Sequence, residues 1–248
     1  MTTRKVQNPN EKSGAGFIWA VIAVIAIAAV VIGLIVFNGR NKQNEAAAAR
    51  TIQVENLAVS YTEGDAFFTL SAKDGGSEAK SVDLFEDFSC PHCGELAEAT
   101  DGQALEKIQA GELEVKVHPM VFLDGQGAQY TPGHSTRALA AELALAANGE
   151  AQALWNLRAM LFAEQQSVYN KVDNDDLADR AKEFGASDEA VAAIREGEFE
   201  EAAKDVGGKN LDYQNEKTGQ AYTPRVMRDD KDLVEGQEIN TWVEAALA

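Results

Sequence analysis

Cys90-Pro91-His92-Cys93 holds the only two cysteines in 248 residues and follows directly on the strand-like run Ser81 to Phe88. Any fold open to this chain must therefore deliver a strand into a pair of thiols. If a helix opens at this point, Cys90 is its N-cap. Pro91 then takes the first helical position, where its missing N–H costs nothing, and Cys93 lies one turn on, facing Cys90. A disulfide closes at that spacing without moving the backbone. Unpaired N–H groups and the partial positive charge of the helix start favour a thiolate at Cys90, and a protonated His92 adds to the effect. A stabilised thiolate stabilises the reduced pair and makes the disulfide a stronger oxidant, so the motif reads as a donor of disulfides.

Two other uses of the cysteines compete. Half a zinc site would need His118 and His134 as further ligands, but neither sits in a paired H-x3-5-H arrangement. A structural staple across two intervening residues closes too small a loop to stabilise a domain of this size much. The residue pattern leaves no metal site as the preferred reading.

Phe17 to Phe37 is an uncharged, almost wholly apolar run. At roughly 1.5 Å per residue, a helix of that length matches a bilayer core of about 30 Å, so a single transmembrane anchor in the lipid bilayer is expected there. A cleaved signal peptide is the rival. The run exceeds the usual signal core of roughly 7–15 residues, and Val36 to Gly39 offers no small-x-small cleavage site, although Ala46 to Ala49 is a candidate late one. Arg4, Lys5 and Lys12 before the span nearly balance Arg40, Lys42 and Arg50 after it, so charge does not orient it. The cysteine pair does, because disulfides persist outside the cytoplasm. Residues 1–16 then form a short cytoplasmic tail, 17–37 the anchor, 38–60 a polar, Ala-rich linker, and 61–248 an extracytoplasmic domain of the cell membrane. A cytosolic reductase tethered to the membrane is the alternative. The chain carries a formal net charge of −18, and its first 50 residues hold 6 of the 22 basic side chains but only 2 of the 40 acidic ones. The remainder is more acidic still, which excludes nucleic acid as a partner and disfavours anionic membrane surfaces.

Along the domain, Ala66 to Ser71 reads as a strand and Lys73 to Gly76 as a turn before the strand that leads to Cys90. The helix after the motif should end near Ala110-Gly111, and Leu113 to His118 alternates as a further strand broken by Pro119. From Pro132 the periodicity becomes helical. Ser135 to Asn148, Ala151 to Gln166, Asn174 to Phe184 and Ser187 to Lys204 are expected helices of an insertion covering about 132–211, with Ser187 as an N-cap and Trp155, Leu161 and Phe162 as core. Ala221 to Met227 and Asp232 to Gly236 read as strands about an Asp229-Asp230 turn, and Ile239 to Leu247 as a closing helix with Trp242 on its apolar side.

This order is similar to the DsbA-like branch of the thioredoxin superfamily, especially the membrane-anchored actinobacterial disulfide oxidoreductases of the MdbA type. The likeness covers roughly residues 61–248. It implies an α/β, thioredoxin-like fold with an all-helical insertion, preceded here by the one transmembrane helix. It implies Cys90 as the exposed nucleophile, Cys93 as its buried partner and His92 as the residue that tunes the potential. Pro91 and a cis-proline loop at Thr223-Pro224 would bind an extended substrate peptide. Two departures stand out. Tyr222 and Arg225 flank the Thr-Pro pair where relatives carry Gly-Thr-Pro or Val-Pro, and Leu84 occupies a strand position where some relatives bury a carboxylate, with Glu86 or Asp87 as substitutes.

The activity so implied is the formation of disulfide bonds in exported, cysteine-containing proteins by an extracytoplasmic thiol-disulfide oxidoreductase. A quinone-linked membrane partner would reoxidise it, and no cofactor is needed. A reductase or isomerase would use the same cysteines at lower potential, and a non-enzymatic holdase for exported chains would not use them at all.

Overall fold

The computed structural model describes residues 51–75, 78–236 and 238–248. The expected anchor at Phe17 to Phe37 and the tail before it lie outside the described residues. Among those described, no helix is long and apolar enough to cross a membrane.

Among the described residues, six strands form one sheet. They are β1 (Ala58–Ser60), β2 (Phe68–Ser71), β3 (Lys80–Glu86), β4 (Leu113–Pro119), β5 (Arg225–Arg228) and β6 (Lys231–Asp232), in the order β1-β2-β4-β3-β5-β6. Only β3 and β4 run parallel. A parallel pair needs a crossover, and helix α1 (Pro91–Gln109) supplies it. In β4, Leu113, Val115 and Val117 point into the core while Glu114 and Lys116 are partly exposed. At the end of β3, Leu84 to Glu86 are all buried, as expected of a central strand covered on both faces. The strand that delivers the cysteines is thus buried at the end from which they follow.

The insertion between β4 and β5 begins with two single turns of 3-10 helix, at Phe122–Asp124 and Gly127–Gln129. It continues as α2 (His134–Ala147), α3 (Ala151–Ala163), α4 (Gln165–Val168), α5 (Asn174–Glu183), α6 (Asp188–Glu196) and α7 (Glu200–Thr218). Helix α2 is buried around nearly its whole circumference, since its Ala- and Leu-rich sequence leaves little polar surface. Trp155, Leu161 and Phe162 are buried in α3 as expected. The closing segment is a 3-10 turn, Ile239–Thr241, followed by α8 (Trp242–Leu247). Its Trp242 indole donates to Thr100 Oγ1 of α1 at 3.0 Å.

Several boundaries differ from the sequence reading. The helix expected over Ser187 to Lys204 stops at Gly197, which takes the left-handed conformation (φ 67°) and caps α6. Helix α7 then runs to Thr218, beyond the expected end of the insertion at 211. Its Gly207 is an element of packing: a Cβ there would lie 2.5 Å from Val121 Cγ2. The segment Ala151 to Gln166 breaks at Glu164 into α3 and α4. Helix α5 starts in a capping box between Asp173 and Asp176 that the periodicity did not reveal. Strand β5 begins at Arg225 and not at Ala221, because the Tyr222 backbone pairs with the Gln214 side chain (both contacts 3.1 Å) instead of a strand. Strand β6 has two residues, joined to β5 by Asp229 and Asp230 at φ 53° and 63°, the left-handed pair that a two-residue hairpin requires. The linker expected over 38–60 ends sooner than its composition implies. Thr51 to Ser60 belongs to the compact unit 51–248, with the Ile52 and Val54 amides bonded to Asn156 and Gln152 and β1 paired to β2.

One buried charge network ties these layers together. Arg158 of α3 forks onto Glu86 at the end of β3 (2.7 and 2.6 Å) and reaches Asp101 of α1 at 2.5 Å. Glu142 of α2 is fully buried with neither oxygen partnered, and burial together with nearby Glu86 pushes its carboxyl well above the usual range. Removing the guanidinium would strand Glu86 and Asp101 in the core. We expect Arg158→Met to cost about 3–5 kcal/mol, seen in urea as a lower midpoint at unchanged slope.

Candidate active site

Strand β3 ends one residue before Asp87, and a tight loop carries the chain to the motif. The Cys90 amide donates to the Asp87 carbonyl at 2.9 Å, and the Ser89 amide to Asp87 Oδ1 at 2.8 Å. Cys90 is the extended N-cap of α1 (φ −85°, ψ 115°), with Pro91 at the first helical position. Both cysteines are free thiols, Cys90 7 % and Cys93 2 % exposed. Strand β5 pairs antiparallel with β3, Arg225 opposite Phe85, which sets the residues just before β5 against those just after β3. The Thr223-Pro224 peptide there is cis, and Cys90 Sγ lies 3.4 Å from the Thr223 carbonyl oxygen. Cys90, Cys93, Thr223 and Pro224 therefore meet at one point, with Pro91 exposed beside them.

The two sulfurs are unlike. Hydrogen bonding from the Cys93 thiol is the largest influence on Cys90, and it prevails over partial burial to bring that thiol down to about 5. Thr223 and the backbone N–H groups of Cys93 and His92 act in the same direction. As a thiol, Cys90 donates to the Thr223 carbonyl. On ionisation the buried Thr223 hydroxyl, otherwise without a partner, becomes the donor on that side. Cys93 is held far above the ordinary thiol range by burial, and further by its neighbour Cys90. One sulfur is thus a thiolate at neutral pH and the other a thiol.

His92 meets Cys90 in two ways, through its backbone N–H and through the charge coupling of its ring. Its ring is exposed and its Nδ1 lies 2.9 Å from Glu95 Oε2, which raises its pKa more than the Cys90 charge does. Its backbone N–H bonds the Cys90 sulfur.

Residues that the motif does not reveal complete the surroundings. Gln165 Nε2 donates to the carbonyls of Phe88 (2.8 Å) and Cys90 (3.0 Å), fixing the loop from α4; no local sequence signal marks it. Asp87, 1 % exposed, accepts from Ser135 Oγ at 2.6 Å, and Ser135 Oγ lies 2.6 Å from Ser89 Oγ. Burial outweighs these bonds and raises the Asp87 carboxyl to about 7. The zinc alternative finds no support in the geometry. His118 is held between Asp83 and Asn210, His134 is buried at the start of α2, and among the described residues no three metal-binding side chains converge.

With this geometry in view, the chain matches a family model described as thioredoxin over residues 73–246. It is 38 % identical to the MdbA thiol-disulfide oxidoreductase of Corynebacterium diphtheriae, with a TM-score of 0.73 over 81 % of this chain and 98 % of that one. The chain belongs to the DsbA-like thiol-disulfide oxidoreductases of the MdbA type. The MdbA protein of Corynebacterium matruchotii is 32 % identical, with a TM-score of 0.72 over 83 % of this oxidoreductase and 98 % of that chain. BdbD of Bacillus subtilis shares the fold at 20 % identity, with a TM-score of 0.51 over 77 % and 94 % of the two chains. No curated protein sequence matches.

Two titrations follow. In the reduced oxidoreductase, ultraviolet thiolate absorbance should report one group near pH 5. Cys93→Ala should move that midpoint toward the ordinary thiol range by more than His92→Gln does, because the latter keeps the backbone N–H. For Asp87, the folded state binds the proton more tightly than the unfolded chain, whose carboxyl titrates near 3.8. Its contribution to stability is therefore whole below about pH 4 and is lost as pH rises through about 7, a total of about 4 kcal/mol. Urea midpoints measured between those limits should fall with pH, and Asp87→Asn should flatten that fall.

Proposed function

We propose that this oxidoreductase is a membrane-anchored oxidase that forms disulfides in exported, cysteine-containing proteins. The observation that carries the reading is the stabilised Cys90 thiolate beside a sealed Cys93 thiol. Holding Cys90 near 5, against about 9 for an ordinary thiol, favours the reduced pair at neutral pH. Allowing for the remaining solvent contact of this sulfur, that is on the order of 2 kcal/mol, or roughly 40 mV toward a more oxidising disulfide.

In the cycle, a substrate thiolate attacks Cys90 Sγ of the oxidised pair, forming a mixed disulfide and releasing Cys93 as a thiolate that takes up a proton. The second substrate thiol, on losing its proton, attacks the substrate's own sulfur in that bond and expels the Cys90 thiolate. The substrate leaves as a disulfide, and the two electrons remain on the enzyme as its reduced pair. Thr223 and Pro224, with Pro91 at the rim, line the path along which an extended substrate segment would lie. Reoxidation falls to a quinone-linked membrane protein.

Location rests on the sequence. Phe17 to Phe37 would be the anchor, with residues 1–16 cytoplasmic and the domain from Thr51 onward outside, tethered by the intervening segment. Such a tether keeps the domain near a membrane reoxidant.

Thiol alkylation followed by gel shift should find Cys90 and Cys93 mainly oxidised in growing cells, and Cys93→Ala should accumulate mixed disulfides through Cys90 with exported proteins. A pair found reduced in cells would favour a reductase instead. Protease added to intact protoplasts should digest the chain beyond Arg50, whereas protection would reverse the topology and remove the oxidase reading.

A further inference from the structure

A groove of about 590 Å³ leads from His92 and Pro224 along the loop after β6, and Glu95, Asp232, Glu235 and Glu238 lie along it. Its one arginine is turned inward. Arg225 is 5 % exposed, forks onto Asp232 (2.5 and 2.8 Å), and gives its remaining donors to Gln214, Thr218 and the Gln220 carbonyl. The His92 ring is engaged by Glu95. That leaves Glu235 and Glu238, both exposed and without an ion pair among the described residues, as uncompensated charge. The field of Asp232 and Glu235 extends to the Tyr222 hydroxyl, beside the Thr223-Pro224 turn. At the reactive end, the buried Thr223 hydroxyl also lines the groove and, while Cys90 is not ionised, has no partner among the described residues.

We propose that this groove selects cationic, extended segments of the substrate, seating a Lys or Arg next to the reacting cysteine against Glu235 and Glu238. The inference rests on the oxidase reading above and names the substrate chemistry it prefers. The attacking group is an anion, a thiolate, and an acidic surface repels it. A cation beside the substrate cysteine offsets that repulsion, favours the substrate's own thiolate, and is steered into the groove. An acidic neighbour does the reverse on all three counts. Arg225, which its sequence position would make a cation of this surface, is neutralised by Asp232 and does not oppose the selection.

The test uses the oxidised full-length chain in non-ionic detergent and three peptides that share one pair of cysteines. They carry Lys, Ala or Glu on both sides of the first cysteine. Each oxidation rate is divided by the same peptide's rate with oxidised glutathione, which removes intrinsic thiol reactivity. The Lys peptide should exceed the Glu peptide by about tenfold at low salt, and the ratio should shrink as salt is raised. Glu235→Gln with Glu238→Gln should bring the ratio close to one. Glu189→Gln with Glu196→Gln, which removes equal charge from α6, should leave it intact. A ratio near one in the parent chain, or equal loss in both double variants, would overturn the proposal while leaving the oxidase reading in place. Failure to oxidise any peptide, the Ala one included, would overturn both.

Discussion

The Cys93 thiol, sealed one turn inside α1 and aimed at the sulfur that caps the same helix, is the interaction on which the rest of the site depends. Hydrogen bonding between the two sulfurs lowers one and burial raises the other, so a pair identical in composition becomes chemically unequal. That inequality needs a helix to begin exactly at Cys90, a buried strand to bring it there, and a second strand to close off the far side. β3, α1 and β5 meet those requirements in turn.

Beneath the pair, the fold buries the carboxyls of Glu86 and Glu142 and the Arg158 guanidinium, with Asp101 half-buried at the edge. A buried ion pair is not in itself a source of stability, since desolvation offsets most of the attraction. Here it has a positional value: Arg158 joins α3 to both the end of β3 and α1, the two elements that bracket the cysteines. Glu142 adds a carboxyl with no partner, and nearby Glu86 reinforces burial in keeping it protonated. Glu86 also bears on Cys93, where its charge opposes the formation of a second thiolate. The network that holds the layers together thus acts on the redox pair as well.

The surface around the pair is shaped by a different balance. Its basic members are each matched to an acid, Arg225 to Asp232 and His92 to Glu95, while Glu235 and Glu238 beyond them have no ion pair among the described residues. In a chain of net charge −18 an acidic surface is expected, and by itself says little. What distinguishes this part of it is that the cation next to the proline turn is spent internally.

Much was legible in the sequence because it was local. Thiol spacing, a proline at the first helical position and the alternation of Leu113, Val115 and Val117 each announce their conformation within a few residues, and so did the helical character of the insertion. The family resemblance extended this to the sheet and the Thr223-Pro224 turn. What only the tertiary structure decided involves partners distant in the chain. The close approach of α7 to Val121 at Gly207, the grip of Gln165 on the motif loop and the inward turn of Arg225 all depend on what packs against them. Cys90 shows the division within one residue: its place at the helix start and the His92–Glu95 pair one turn on are written in the sequence, whereas the Thr223 carbonyl beside its sulfur comes from the far end of the chain.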